Sequence, residues 1–310
     1  MDAERDENLE KDASHNSAGE GDTGNDANTN ADGVTYTYIN ANADGGKDTV
    51  KNKIRGIRGF LIDLDGCVYR GDTLIEGSDV AIKALKGSGR KVLYLTNNST
   101  KTPQEYAMKL RRLGVDADPA EILTSAVATA AYMRRFERSS CYVIGEEALR
   151  SALAQEGFTI VEEGNEGRAK YVVCGLDRSL TYGKLAAACA AVQRGAKFIA
   201  TNTDPNLPVE GGYLPGAGSI VGAVRIATGV RPIVVGKPSR YIMEIALERL
   251  GLNKEKVAIV GDRIDIDVKA GKVAGIYTVL VSSGGYLKVR KMGLTPDLVV
   301  RSLYDLVALL

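Results

Sequence analysis

Phe60-Leu61-Ile62-Asp63-Leu64-Asp65-Gly66-Cys67-Val68-Tyr69 decides how this chain is read. Strand-forming apolar residues run into two carboxylates, and a glycine breaks the run directly after them. On a regular strand Asp63 and Asp65 would face opposite ways. At a strand end, with Gly66 free to turn the backbone, both reach one site. One carboxylate then serves as nucleophile and the other as proton donor, a division of work that such pairs support. Asp-x-Asp-Gly also opens calcium loops and ordinary turns. An EF-hand loop needs further oxygen ligands and a glutamate at fixed spacing, and Cys67, Val68 and Tyr69 provide none.

The 310 residues suffice for two domains or one large one, and 44% hydrophobic content allows a sizeable core. Residues 1–50 differ from the rest: they hold 12 Asp/Glu against 3 Lys/Arg, with little that packs. Such a segment buries too little apolar surface to offset its ordering entropy. It is expected to be a disordered acidic tail, with Val34–Ile39 able to form a short strand. The remaining residues carry 37 Lys/Arg against 27 Asp/Glu, a field that favours anionic ligands, although scattered solvated lysines give the same count. No basic run with interleaved aromatics points to nucleic acid. No apolar targeting core or membrane-length run is present, so a soluble, cytoplasmic protein is expected; a homodimer is left open. Cys67, Cys141, Cys174 and Cys189 lie far apart, without metal or disulfide spacing. The one histidine, His15, falls in the tail, which leaves carboxylates, Lys, Tyr and Cys for acid–base work.

From residue 57 short β-rich runs alternate with helical segments, a pattern that predicts a parallel sheet covered on both faces. Strands are expected at Arg58–Leu64, Lys91–Leu95, Pro232–Val235, Lys256–Val260 and Tyr277–Val281. Helices are expected at Asp79–Lys86, Pro103–Leu113, Ser125–Phe136 (capped by Ser125), Arg240–Leu250 and Ile266–Val273. Ligands of such sheets bind at the carboxyl ends of strands. Polar residues stand there: Asp63 and Asp65, then Thr96-Asn97-Asn98-Ser99, Gly236-Lys237-Pro238, and Gly261-Asp262. Thr96 and Lys237 are separated by 141 positions, and that interval has its own β/α pattern. A second α/β domain at 139–230, inserted into a core formed by 51–138 and 231–310, fits better than one long loop. Gly216-Ala217-Gly218-Ser219 reads as a turn into a helix, with amides available to a substrate.

Taken in order, the four strand-end motifs resemble the haloacid dehalogenase superfamily: D-x-D-G at 63–66, a hydroxyl at Thr96, Lys237, and Asp262 with Asp267. Leu95–Ser99, Gly175–Leu185, Thr201–Pro205, Leu214–Ser219, Val235–Ser239 and Gly261–Asp267 are similar to the NagD-like branch, which includes 4-nitrophenylphosphatases, phosphoglycolate phosphatases and pyridoxal phosphatases. The resemblance implies a doubly wound, Rossmann-like α/β core with an inserted α/β cap. It implies a Mg2+-dependent phosphatase acting on a small phosphorylated metabolite through an aspartyl-phosphate. Asp63 would be the nucleophile and Asp65 the acid–base. Asp63, the Asp65 backbone carbonyl and Asp262 would hold the metal. Thr96, Asn97 and Lys237 would bind phosphate, and Asp267 would support Lys237 or the metal's waters. Asp177, Asp204, Asn206 and Leu207, on the cap, are candidates for substrate selection; turn formation explains the two aspartates equally well. In the pyridoxal phosphatases a histidine that contacts the cofactor ring falls near the position of Leu207, and its absence here argues against pyridoxal phosphate. Dehalogenases generally lack the second acid, and transport ATPases need membrane helices. A catalytically weak sensor or metabolite-binding protein of this fold is the alternative; loss of Asp63, Asp65 or Lys237 would mark it, and all three are present.

Overall fold

The structure, a computed structural model, describes residues 27–29, 35–37, 47–162, 164–209, 212–283 and 293–310. Most of the expected acidic tail lies outside them. Within it, Thr35–Thr37 pairs antiparallel with Ala27–Thr29, which places a strand inside Val34–Ile39. The helix Lys47–Gly56, not expected from sequence, crosses the expected boundary at residue 50 and buries Ile54 completely.

Six parallel strands form the first sheet, in the order Leu298–Val300, Tyr277–Val281, Val257–Gly261, Gly59–Ile62, Lys91–Thr96, Ile122–Thr124. Side chains alternate across it, as the two-residue period of a strand requires. Phe60, Ile62, Val92, Tyr94, Ala258 and Val260 face one apolar cluster. Leu61, Leu93, Leu95, Val257 and Ile259 face another. Both faces are therefore buried, which explains why these strands read as continuous apolar runs.

A second parallel sheet has the order Ile233–Val234, Lys197–Ala200, Tyr171–Cys174, Ser140–Ile144, Thr159–Val161. One face, with Cys141, Val143, Tyr171, Val173 and Ile199, joins the same apolar cluster as the first sheet. Helices Ser125–Met133 and Arg240–Leu250 contribute Ala126, Met133, Ile242 and Met243 to that shared layer. The opposite face packs under Tyr182–Gln193 and Ala217–Thr228.

One strand falls elsewhere than expected. The sequence assigns Pro232–Val235 to the core, but Ile233 and Val234 pair with Ile199 and Ala200 at the edge of the second sheet. The physical reason is local: Val235 N–H donates to Ala200 O and Gly236 N–H to Thr201 O, so Lys197–Ala200 supplies the ladder. Helix starts follow side-chain caps. Thr124, rather than the expected Ser125, accepts from Val127 N–H, and Thr102 forms a reciprocal cap with Glu105.

Candidate active site

The Gly59–Ile62 strand is central, flanked by Lys91–Thr96 on one side and Val257–Gly261 on the other. The carboxyl ends of these three neighbours bring Asp63, Thr96 and Asp262 to one place, the crevice where open α/β sheets bind ligands. Asp63 extends the ladder by one bond, its N–H donating to Val260 O at 2.9 Å. The chain then turns sharply. Val68 and Tyr69 N–H both donate to Leu64 O, while Gly66, at φ 84°, donates to Tyr69 O. A residue with a Cβ would be strained at that positive φ. The turn leaves Asp65 at the solvent-facing mouth while Asp63 stays half-buried.

Lys237 arrives from the second sheet and is 2% exposed. Its Nζ donates to Asp63 Oδ1 at 2.5 Å, Asp267 Oδ1 at 2.7 Å and Leu95 O at 2.9 Å. All three ammonium protons have acceptors. Asp267 also accepts from Arg263 N–H at 3.2 Å. Its carboxyl lies over Gly261, where an added Cβ would stand 2.3 Å from the Asp267 Cγ. Glycine at 261 thus makes room for the acid six positions later. Asp262 is buried beside them, and Asp63, Asp262 and Asp267 offer oxygens that all lie within 4.8 Å of one another.

Three crowded carboxylates face one ammonium. Burial pushes Asp63 up to about 7, opposed by Lys237 and reinforced by Asp267 and Asp65. Burial pushes Asp262 up to about 8, and Asp63 and Asp267 add to it. Burial also raises Asp65, though Lys109 and Arg70 pull it back. An oxygen-only set with surplus negative charge suits a hard divalent cation such as Mg2+. Within that set both oxygens of Asp267 already accept, Oδ1 from Lys237 and Oδ2 from Arg263 N–H, whereas Asp63 accepts from Lys237 through Oδ1.

Thr96 is buried, its Oγ1 accepting from Asn98 N–H at 3.1 Å, with the Tyr106 phenol hydrogen-bonded to it. The Asn97 side chain, expected on phosphate, is turned elsewhere: Nδ2 donates to Asp204 Oδ2 and to Lys237 O, each at 2.9 Å. Cys67 is buried in the same region; burial first, then Asp63, Asp262 and Asp267, push its thiol well above the ordinary range, away from the thiolate form that a nucleophile needs.

The four cap candidates separate. Asp177 accepts from Ser179 and Lys184 and belongs to its own turn. Asp204 bonds Asn97 and pairs with Arg263 at 3.5 Å. Asn206 and Leu207 open a two-stranded hairpin, Leu207 opposite Leu214, with Asn206, Tyr213 and Leu214 exposed. Gly216-Ala217-Gly218-Ser219, expected to be a turn into a helix with amides available to a substrate, does lead into the helix Ala217–Thr228, with Gly216 at its N-cap. The Gly216 and Gly218 N–H groups, however, donate to Pro205 O and Asp204 O respectively. Added Cβ atoms there would lie 2.3 Å from Asp204 O and Thr203 O, so these glycines allow two backbones to meet. Arg263, Asn202 and Tyr106 were not singled out from sequence. Arg263 and Asn202 stand inside motifs already noted, next to Asp262 and Thr201, and that adjacency was the available signal.

Comparison with known proteins places this arrangement. Residues 60–159 match the model of the haloacid dehalogenase-like hydrolases, and residues 234–306 match a second, HAD-hydrolase-like model. An acid sugar phosphatase from Staphylococcus haemolyticus is 44% identical over 233 residues, 74% of this chain and 87% of the relative. The p-nitrophenyl phosphatase from Archaeoglobus fulgidus superposes with a TM-score of 0.77 at 39% identity, covering 82% of this chain and 99% of that one. NagD from E. coli K-12 gives a TM-score of 0.75 at 32% identity, covering 80% and 98%.

Proposed function

The chain belongs to the haloacid dehalogenase-like hydrolases, in the branch of NagD and the 4-nitrophenylphosphatases, and is a phosphatase; from that premise we propose Mg2+-dependent hydrolysis of small phosphomonoesters through an aspartyl-phosphate on Asp63. Sugar and polyol phosphates are the foremost substrates, with phosphoglycolate and 4-nitrophenyl phosphate as further ones. The observation that carries the proposal is Lys237 Nζ held between Asp63 and Asp267, with Asp262 in the same cluster.

An Asp63 carboxylate oxygen attacks phosphorus in line with the ester oxygen, and the phosphorus–oxygen bond to the leaving group breaks. Asp65, at the mouth of the site, gives its proton to the leaving oxygen; partial desolvation there raises its carboxyl from the ordinary value, toward the protonated form. A water then attacks the phosphorus of the aspartyl-phosphate, and the Asp65 carboxylate takes the water's proton. Phosphate departs and Asp63 is regenerated. Lys237 brings a compact positive charge to the phosphoryl oxygens, and Thr96 offers a hydroxyl. Asp63, Asp262 and the Asp65 carbonyl would hold Mg2+; when bound, it would offset the repulsion between carboxylate and phosphate dianion. Asp267 fixes Lys237 from behind, the kind of outer partner such sites need. The core strand ends are occupied by phosphoryl chemistry. Choice of leaving group therefore falls to the inserted segment, with the Asn206–Leu207 hairpin its best-placed part.

The test is release of phosphate from 4-nitrophenyl phosphate and a panel of sugar phosphates, with Mg2+ and with chelator. Mg2+-dependent turnover supports the reading. No turnover on the whole panel, or full turnover in excess chelator, contradicts it.

A further inference from the structure

Asp204 lies on the loop after the Lys197–Ala200 strand, yet its partners come from the catalytic strand ends. Asn97, after Lys91–Thr96, donates to it through Nδ2 at 2.9 Å. Arg263, after Val257–Gly261, pairs with it at 3.5 Å and is steadied on its other side by Asp265 at 2.8 Å. The second proton on the same Asn97 nitrogen goes to Lys237 O at 2.9 Å. One amide thus ties Asp204 to the backbone of the buried lysine.

The loop itself is built to hold this position. Asp204 N–H donates to Asn202 Oδ1 at 3.0 Å, while Asn202 Nδ2 donates to Asn97 O at 2.7 Å. From below, Gly218 N–H donates to Asp204 O at 2.8 Å. The side chain is mostly buried, at 18% exposure, and its two carboxylate oxygens are divided between Asn97 and Arg263.

An ionised carboxylate accepts hydrogen bonds and donates none. Facing Asp204, Asn97 must therefore present its nitrogen, which is the atom that also reaches Lys237 O. Lys237 O calls for the same nitrogen, so the amide bridges two acceptors, while Asn97 Oδ1 is buried and has no hydrogen-bond partner among the described residues. Without the carboxylate the amide loses one of its two anchors, and Lys237 O is held by a side chain that is no longer fixed at its other end.

From this geometry we infer that Asp204 is a positioning residue for the reaction, fixing the Asn97 amide and through it the Lys237 segment, and is not a substrate selector. The inference rests on the phosphatase reading above. A displacement of about 1 Å in a reacting group costs on the order of 10^2-fold in rate, and Lys237 reaches Asp63 through a segment that this amide anchors.

The experiment compares purified wild type with Asp204→Ala, Asp204→Asn, Asn97→Ala and the Asp204→Ala/Asn97→Ala double variant. It records kcat and KM with Mg2+ on 4-nitrophenyl phosphate and several sugar phosphates, with thermal melts alongside. Asp204→Ala is expected to lower kcat about 10- to 100-fold on every substrate while leaving the ranking of kcat/KM unchanged. Asp204→Asn keeps an acceptor for Asn97 and recovers part of the rate. If Asp204→Ala does not fold, the isosteric Asp204→Asn carries the test, with a uniform fall in kcat and the same ranking. The double variant should lose no more than Asn97→Ala alone, since the two act through one bond. Wild-type kcat in a folded Asp204→Ala, a lowered melting temperature with kcat intact, or a reordered ranking would overturn the inference while the phosphatase reading stands. A wild-type chain inactive on the whole panel overturns that reading and the inference with it.

Discussion

Replacing Lys237 with methionine removes the charge that Asp63 and Asp267 share. The side chain is 2% exposed, and its ammonium is shared by Asp63, Asp267 and the Leu95 carbonyl. Methionine keeps much of the volume, so the change is electrostatic and leaves Asp63, Asp262 and Asp267 crowded together without the cation that bridges Asp63 and Asp267. Removing one partner of a buried ion pair destabilises by about 3–5 kcal/mol. For a chain of this size that corresponds to roughly 6–20 °C in melting temperature. The loss depends on pH in a definite direction. Asp63 and Asp262 already sit near 7 and 8 with the lysine present, and without it they hold protons still more tightly. At about pH 5 the acids are protonated in both folded proteins and the penalty is smallest; it grows as pH rises through about 7 and 8, where the wild-type acids ionise while those of the variant still hold their protons. Thermal melts of wild type and Lys237→Met in chelator at both values measure this, and turnover should be lost throughout. Equal melting temperatures for the two proteins at about pH 8 would refute the picture of one lysine balancing three buried acids.

Three further outcomes are expected. Gly261→Ala drives a methyl against the Asp267 carboxyl; overpacking costs about 1–3 kcal/mol, and turnover should fall because Asp267 no longer holds Lys237. A melt and an assay of Gly261→Ala that match wild type would discount that packing. In the metal-free protein the raised Asp63 and Asp262 bind protons more tightly folded than unfolded between about pH 4 and 8. Stability should therefore fall as pH rises through that window, and added Mg2+ should raise the melting temperature more at about pH 8 than at about pH 5. Asp65→Asn should slow the first step, transfer of the phosphoryl group to Asp63, by about 10^2–10^4-fold for alkyl phosphates and much less for 4-nitrophenyl phosphate, because nitrophenolate leaves without a proton; hydrolysis of the aspartyl-phosphate should slow alike for both. An equal loss on both ester types in single-turnover measurement of that first step would contradict the general-acid role.

The features legible in the sequence share a cause. Asp63, Thr96 and Asp262 each end an apolar run, and a parallel sheet places such ends side by side without further information. Both faces of the sheet are buried, so the runs are continuous and easily found. Lys237 was also legible, although the sheet that carries it was misassigned. Its strand is two residues long, and the choice of partner depends on Ala200 and Thr201 carbonyls more than thirty positions away. The contact between Asn97 and Asp204 is hidden in the sequence for a related reason. Their roles follow from which groups face them across the fold, and Asx residues in T-N-N-S or T-N-T-D look like turn formers either way. The glycines at 216 and 218 show the same limit: close backbone approach and a ligand-binding loop leave one signature in sequence. No helix among the described residues is long and apolar enough to cross a membrane, as the hydropathy of the chain leads one to expect.

The central claim is that Asp63 becomes phosphorylated. Wild-type protein mixed with Mg2+ and 4-nitrophenyl phosphate, quenched in acid within a turnover and digested, should give one phosphoryl group on the peptide that contains Asp63. Asp63→Asn, treated identically, should give neither the phosphopeptide nor nitrophenol, because an amide cannot form the acyl-phosphate. Turnover near the wild-type rate in purified Asp63→Asn protein would contradict the account.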